Sequence, residues 1–305
     1  MVDGPHGQEA LSHDDRASGV RRVLWIVLVF NVGVAITKLV MGFAINSLSL
    51  IADGFHASLD GTSNIVGLVG MAFAAAPPDE AHPYGHKRFE TFASFVIGLF
   101  IAAGFWEIVK QVYNRVTHPG PPPVVTWLNA GIIGITVIVN LGISLYETRR
   151  GRALQSAILL ADAKHTMADT FGALAVLVSF GAIALGIPYA DVAATSIVAI
   201  LIAHTAYEVL APNFRILVDA ATLDPADIRK VALSVDGVRG THKERSRGSL
   251  DHVHVDLHIQ VDPSMSIEEA HALTHKVADA IRAAFPNVRD VLIHTEPGKA
   301  DAARR

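Results

Sequence analysis

The chain has 305 residues, 51% of them hydrophobic and 18% charged, with a mean hydropathy of +0.38 and a net charge of −4. Soluble domains carry about 25% charged residues, so the deficit argues against an ordinary soluble protein, and a negative balance gives no footing for nucleic acid. Cysteine is absent, which excludes disulfides and thiolate metal sites and leaves imidazole and carboxylate as the metal donors.

Residues 1–20 (MVDGPHGQEALSHDDRASGV) are polar and mixed in charge, and read as a flexible tail rather than a cleaved signal, with His6 and His13 solvated. Residues 21–211 read as a membrane domain. Roughly 20 apolar residues cross the hydrocarbon core, and six segments qualify, at about 23–45, 48–76, 90–114, 124–146, 154–186 and 189–211. Basic residues sit at alternate joints: Arg16, Arg21 and Arg22; Lys87 and Arg88; Arg149, Arg150 and Arg152; Arg215. The joints NS, THPGPPP and GIPYAD carry none. By the positive-inside rule both termini are expected in the cytoplasm, which an even number of spans fits.

Residues 212–297 read as a soluble domain. DPADIRKVALSV predicts a helix, GVRGTHKERSR a strand, DHVHVDLHIQVD an alternating strand, MSIEEAHALTHKVADAIRAAF an amphipathic helix and VRDVLIHTEP a last strand. The order α-β-β-α-β predicts a ferredoxin-like layer of helices on one face of a sheet. Residues 298–305 remain as a short tail.

Within the apolar region the same pattern occurs twice. LIADGFHASLD at 50–60 and LLADAKHTMAD at 159–169 both fit L-[IL]-A-D-x-x-H-x-x-x-D. Residues four apart share a helix face, so His56 with Asp60 and His165 with Asp169 offer two nitrogens and two carboxylates, a donor set that suits tetrahedral Zn²⁺. Asp53 and Asp162, three residues before each His, are expected to support the imidazoles. A single such pair often serves only helix packing; two copies in two spans favour a metal site. Gly54, Gly61, Gly67, Gly70 and Gly172 are read as close-packing positions.

Charge then predicts a mechanism. Two carboxylates with two neutral imidazoles carry −2, which a divalent cation cancels and which an empty site must neutralise with protons. Opening such a site alternately to each side exchanges metal for protons. A membrane metalloenzyme would need an open coordination position, which four protein ligands fill. A metal sensor without transport would leave the intramembrane ligands without a purpose.

The paired LADxxHxxxD segments, the six spans, the HPYGHKRFE joint and the His-bearing α/β tail resemble the cation diffusion facilitator family over about residues 20–297. The resemblance implies a homodimer in the cell membrane that exports divalent transition metal from the cytoplasm, usually against protons, and that is not an enzyme. It implies a transport site of His56, Asp60, His165 and Asp169 between the second and fifth spans. His at both first positions is similar to the zinc-preferring members, so Zn²⁺ is expected, with Cd²⁺, Co²⁺ and Fe²⁺ as alternatives. It further implies a loop site at Asp79, His82 and His86, although a structural turn helped by Gly85 would explain the same residues. Arg88 matches a basic position that pairs in some members with an acidic residue after the sixth span, here Asp219. A cytoplasmic binuclear site is implied at His242, His258, His271, His294 and Glu296. His254 and Asp256 correspond to an alternative ligand set. The alternation of DHVHVDLHIQVD itself puts His252, His254, Asp256 and His258 on one strand face, and Val253, Val255, Leu257 and Ile259 on the other.

Overall fold

The computed structural model describes residues 13–44, 48–118, 127–184, 190–249 and 251–298, and within helix 48–74 the side chains only from Gly61 onward. Six long helices come first: α1 (His13–Ala44), α2 (Leu48–Ala74), α3 (Arg88–Thr117), α4 (Trp127–Ala153), α5 (Ala157–Ala184) and α6 (Ala190–Leu217). Then follow α7 (Pro225–Leu233), β1 (Gly240–Ser249), β2 (His252–Val261), α8 (Ile267–Ala284) and β3 (Val288–Pro297). The chain divides into two compact units, meeting between Asn213 and Phe214.

In the first unit an apolar core that includes Leu24, Ile97 and Ile158 is matched by an apolar outside, and polar side chains are buried with it. Trp25, Phe30, Trp106, Ile138 and Ile200 are exposed, whereas Ser63, Asn64, Ser94, Ser144, Glu147 and Asp162 are buried. Water would not leave such side chains outside; a hydrocarbon solvent does. Four helices are long and apolar enough to cross a membrane among the described residues: Asp15–Val40, Arg88–Asn114, Ala130–Ala153 and Thr195–Leu217. The other two are those with the twin motif. The described part of α2 is the shorter apolar stretch Gly61–Ala74, and α5 carries Asp162, Lys164 and Asp169.

Small residues set the helix contacts. A Cβ on Gly67 would meet Ile158 at 2.9 Å and Leu24 at 3.2 Å, and one on Gly70 would meet the Ala93 methyl at 2.3 Å. Of the expected close-packing glycines, Gly61 makes only an ordinary contact, Gly172 meets nothing within 4 Å, and Gly54 lies outside the described side chains. At one end of the bundle Arg16 holds Glu90 through two hydrogen bonds of 3.0 and 2.9 Å and donates to the carbonyls of Leu154 and Gln155. Glu90 also accepts from Ser156 Oγ and the Ala157 amide. This tie joins α1, α3 and the α4–α5 joint, and it explains why α1 begins at His13, inside the stretch expected to be a tail.

The second unit has a three-stranded sheet in the order β1-β2-β3, with β1–β2 antiparallel and β2–β3 parallel. Val253, Val255, Leu257 and Ile259 of β2 pack with Ile228 of α7 and Leu273, Val277 and Ile281 of α8. The expected α-β-β-α-β order is the observed one. A capping box, Ser266 with Glu269, starts α8.

Candidate metal centres

The sheet builds the first centre by register. His242 on β1 is opposite His258 on β2, and His258 is opposite His294 on β3. Three imidazoles thus form a row across the open face, with ring centroids 5.1 and 4.6 Å apart. Glu296, two residues beyond His294 on the same face, lies 2.8 Å from His258 Nδ1, 3.3 Å from His242 Nε2 and 3.9 Å from His294 Nε2. The hydrogen bond with His258, aided by the charge of the other imidazoles, holds the Glu296 carboxyl below its usual range. One ligand atom from each of His242, His258 and Glu296 falls within 4.8 Å of the others, close enough for one ion.

His242 owes its place to a bulge. Between His242 and Arg245 the β1 register gains a residue, with Lys243 at φ 55°. Beyond it Glu244 and Ser246 turn to the buried side, while His242 stays on the open face. His271 is not part of this cluster within the chain. It stands on α8, which packs against the other sheet face, and its Nε2 is 3.1 Å from His275 Nε2. His254 lies further along β2 with its Nδ1 3.8 Å from Asp290. Asp256 pairs in register with Arg245 and Leu292. Neither joins the His258 cluster.

A second centre forms in the α2–α3 connection. Asp79 Oδ1 accepts from the His82 amide at 2.6 Å and lies 3.2 Å from His82 Nδ1; its Oδ2 lies 3.4 Å from His86 Nε2. The backbone hydrogen bond from His82 is the main reason the Asp79 carboxyl sits below its ordinary value. His86 is buried, and its Nδ1 is 3.1 Å from the Pro77 carbonyl. A carbonyl only accepts, so Nδ1 donates to it, which leaves Nε2, on the side of Asp79, as the ring nitrogen that a metal could take. The three side chains can hold one ion, their ligand atoms lying within 4.8 Å. Gly85 adopts φ +81°, so a turn is present as well; the two readings coexist.

Inside the bundle, His165 Nε2 lies 3.7 Å from Asp169 Oδ2 on α5. Asp162 is fully buried and accepts a hydrogen bond from Asn64 Nδ2 on α2, while Asn64 accepts from Asn31 on α1 at 2.8 Å. Asp53, His56 and Asp60 belong to helix α2, but their side chains lie outside the described residues. Arg88 begins α3 in the first unit, and Asp219, at φ 56°, follows α6 in the second. Sequence reasoning missed Asn64, Glu147 and His275. Glu147 escaped because the fourth span was expected to stop at 146, whereas α4 continues to Ala153.

The family models complete the picture. Residues 24–218 match the cation efflux transmembrane domain and residues 222–298 the cytoplasmic domain of cation efflux proteins. The chain belongs to the cation efflux, or cation diffusion facilitator, family. It is 33% identical to an uncharacterised transporter of Methanocaldococcus jannaschii, over 91% of this chain and 98% of that one. It is 32% identical to a probable cation efflux system protein of Mycobacterium tuberculosis, over 98% and 91%, and 24% identical to a manganese efflux system protein of Bacillus subtilis, over 91% and 96%. As a cation diffusion facilitator the chain is a multi-pass membrane transporter of divalent metal with a cytoplasmic dimerisation domain, not an enzyme.

Proposed function

We propose that the protein exports Zn²⁺ from the cytoplasm across the cell membrane in exchange for protons, by alternating access to a site formed by His56, Asp60, His165 and Asp169. The observation that carries this is the Asn64–Asp162 hydrogen bond between α2 and α5. From Asn64 to Gly67 the contacts on α5 move back from Asp162 to Ile158, so the helices run antiparallel. At 1.5 Å per residue, stepping back along α2 to Asp60 and forward along α5 to His165 covers about 6 and 4.5 Å. A further step reaches His56 and Asp169, at about 12 and 10.5 Å. The backbones of the two motifs therefore pair level by level, position 60 with 165 and position 56 with 169.

Two imidazoles with two carboxylates suit the borderline Zn²⁺ better than the harder Mn²⁺. The manganese efflux relative keeps Mn²⁺ as the second reading, with Cd²⁺, Co²⁺ and Fe²⁺ behind zinc. Protons neutralise the site once the metal leaves, which supports exchange. The alternating basic joints support cytoplasmic termini. Asp79, His82 and His86 would hold an ion near the cytoplasmic entrance. His242, His258 and Glu296, with His294 beside them, would hold one or two in the tail of a homodimer. Asp53 and Asp162 would orient the imidazoles.

The test is metal uptake into sealed inverted vesicles, with Zn²⁺, Mn²⁺, Cd²⁺, Co²⁺ and Fe²⁺ in turn and with or without an imposed pH gradient. Zinc uptake that rises with the gradient and disappears in Asp169→Ala is expected. Uptake of Mn²⁺ alone would replace the zinc reading, and flux indifferent to the gradient would remove the proton.

A further inference from the structure

Two carboxyl groups are buried side by side in the transmembrane unit, and the metal site uses neither as a ligand. Glu147 on α4 and Asp162 on α5 are both 0% exposed, and their carboxyl groups face each other within hydrogen-bonding range. Asp162 Oδ2 accepts from Asn64. Among the described residues no donor reaches either oxygen of Glu147, or Asp162 Oδ1, in good hydrogen-bonding geometry; the Ser63 hydroxyl stands beside Asp162 and the Thr166 hydroxyl beside Glu147. The nearby Thr166 hydroxyl is spent on the Asp162 carbonyl at 3.2 Å.

Glu90 shows what this domain does with a buried carboxylate that is ionised. It collects two hydrogen bonds from Arg16, one from Ser156 and one from the Ala157 amide, with Lys87 3.1 Å away. Glu147 receives none of these. Two ionised carboxylates in contact, without donors or a cation, are strongly disfavoured in a low-dielectric interior. A proton between them removes the repulsion and supplies the missing donor, as in acid pairs that share one proton. Among the described residues, the groups around the pair do not supply charge compensation. Ser63 and Asn64 of α2 and Asn31 of α1 are uncharged. Lys38 of α1 is seven residues, about 10 Å, beyond Asn31. Arg150 of α4 is exposed, and Glu90 of α3 is already neutralised. His165, one turn along α5 from Asp162, is the titratable neighbour. A divalent metal would find two carboxyls and no imidazole in the pair itself, too few donors to hold it.

We infer that Glu147 is a proton-carrying group of the transport domain: with Asp162 it forms a buried carboxyl pair that binds a proton at a site separate from the metal ligands. Asp162 lies five residues into α5, about 7 Å from its start, and His165 about 4.5 Å further. The pair therefore stands between the α4–α5 joint and the transport site, where a proton taken up or released shifts the balance of charge next to His165. This deepens the proton-exchange reading and rests on it.

The test compares zinc uptake by vesicles of the full-length protein, with and without a pH gradient, for wild type, E147Q and E147D. Glutamine keeps the shape and donates to Asp162 as the protonated acid does, but it cannot release a proton. The ratio of uptake with gradient to uptake without it is expected to fall to no stimulation in E147Q and to recover at least in part in E147D. An unchanged ratio in E147Q overturns the inference while leaving proton exchange standing. Flux of the wild type that ignores the gradient overturns both. If E147Q carries no zinc at all, infrared spectroscopy decides: wild type at neutral pH should show the carbonyl band of a protonated carboxyl, and E147D should shift it. Absence of that band, or its loss on adding sodium or zinc, would mean that the pair holds no proton or holds a cation instead, and would end the proposal.

Discussion

Single side chains in the cytoplasmic unit show how a local charge pair becomes a dependence on pH. Arg229 of α7 donates to both oxygens of Glu244 at 2.8 and 3.0 Å, and Thr241 adds a third hydrogen bond at 2.6 Å. Chiefly through Arg229, Glu244 is pulled down from its ordinary 4.5 to about 2. A depressed carboxyl stabilises the fold fully above its unfolded value and loses that stabilisation as pH falls through the folded one. Arg229→Met should therefore weaken β1 at neutral pH, and the deficit should shrink as pH drops from 4.5 toward 2. Amide hydrogen exchange along β1, compared between variant and wild type at each pH, reads this; a deficit that is constant with pH would show that charge is not the cause. None of this was legible in the sequence. GTHKERSRGS reads as an exposed strand, and the bulge at Lys243 that turns Glu244 inward while leaving His242 beside His258 arises from pairing with β2. The alternation of β2 was legible, because a strand with one buried face repeats every two residues. His271 was not, because a helix on the far side of the sheet is invisible to a strand pattern.

At the level of elements, the helices were legible in number and order, and their ends were not. Hydropathy sees only the stretch that lies in lipid, so it ended the fourth span at 146 and began the first at 23. The helices run on into polar ends, α4 to Ala153 and α1 from His13, where Arg16 and Glu90 replace hydrocarbon as the reason for order. Nor does hydropathy say which glycines are interfacial. In α2, Gly70 faces the Ala93 methyl and the Phe89 carbonyl of α3, rigid neighbours that cannot swing aside. Gly70→Ala must push the two helices apart, and overpacking of this kind costs about 1–3 kcal/mol. Gly104→Ala in α3 meets nothing within 4 Å and should be neutral or slightly stabilising, since alanine is the better helix former. Thermal aggregation of the detergent-purified variants separates them, and equal midpoints for the two would contradict the packing described for α2 and α3.

Across the whole molecule, acidic side chains are treated in distinct ways according to what they must do. Glu90 is surrounded by donors and fixed, Glu147 is paired with another acid, and the Asp79 and Glu296 carboxyls stand among imidazoles that a metal can bridge. Of the last kind, Glu296 is the one in the cytoplasmic unit, where a bound ion would couple that unit to metal in the cell. The row His242–His258–His294 with Glu296 lies on the open sheet face, so an ion there is reached from water and adds positive charge to a surface that otherwise gathers imidazoles around one acid. In a dimer such charge alters how two tails attract or repel. Binding that favours one arrangement of the tails shifts the dimer by as much as its differential affinity for the two. Spin labels at Asp279, exposed on α8, should report a shorter distance between the tails of the full-length dimer with zinc than with chelator, and His258→Ala should remove the difference. A separation unaffected by zinc would mean that the tail stores metal or steadies the dimer without sensing, leaving control of export to the transmembrane unit.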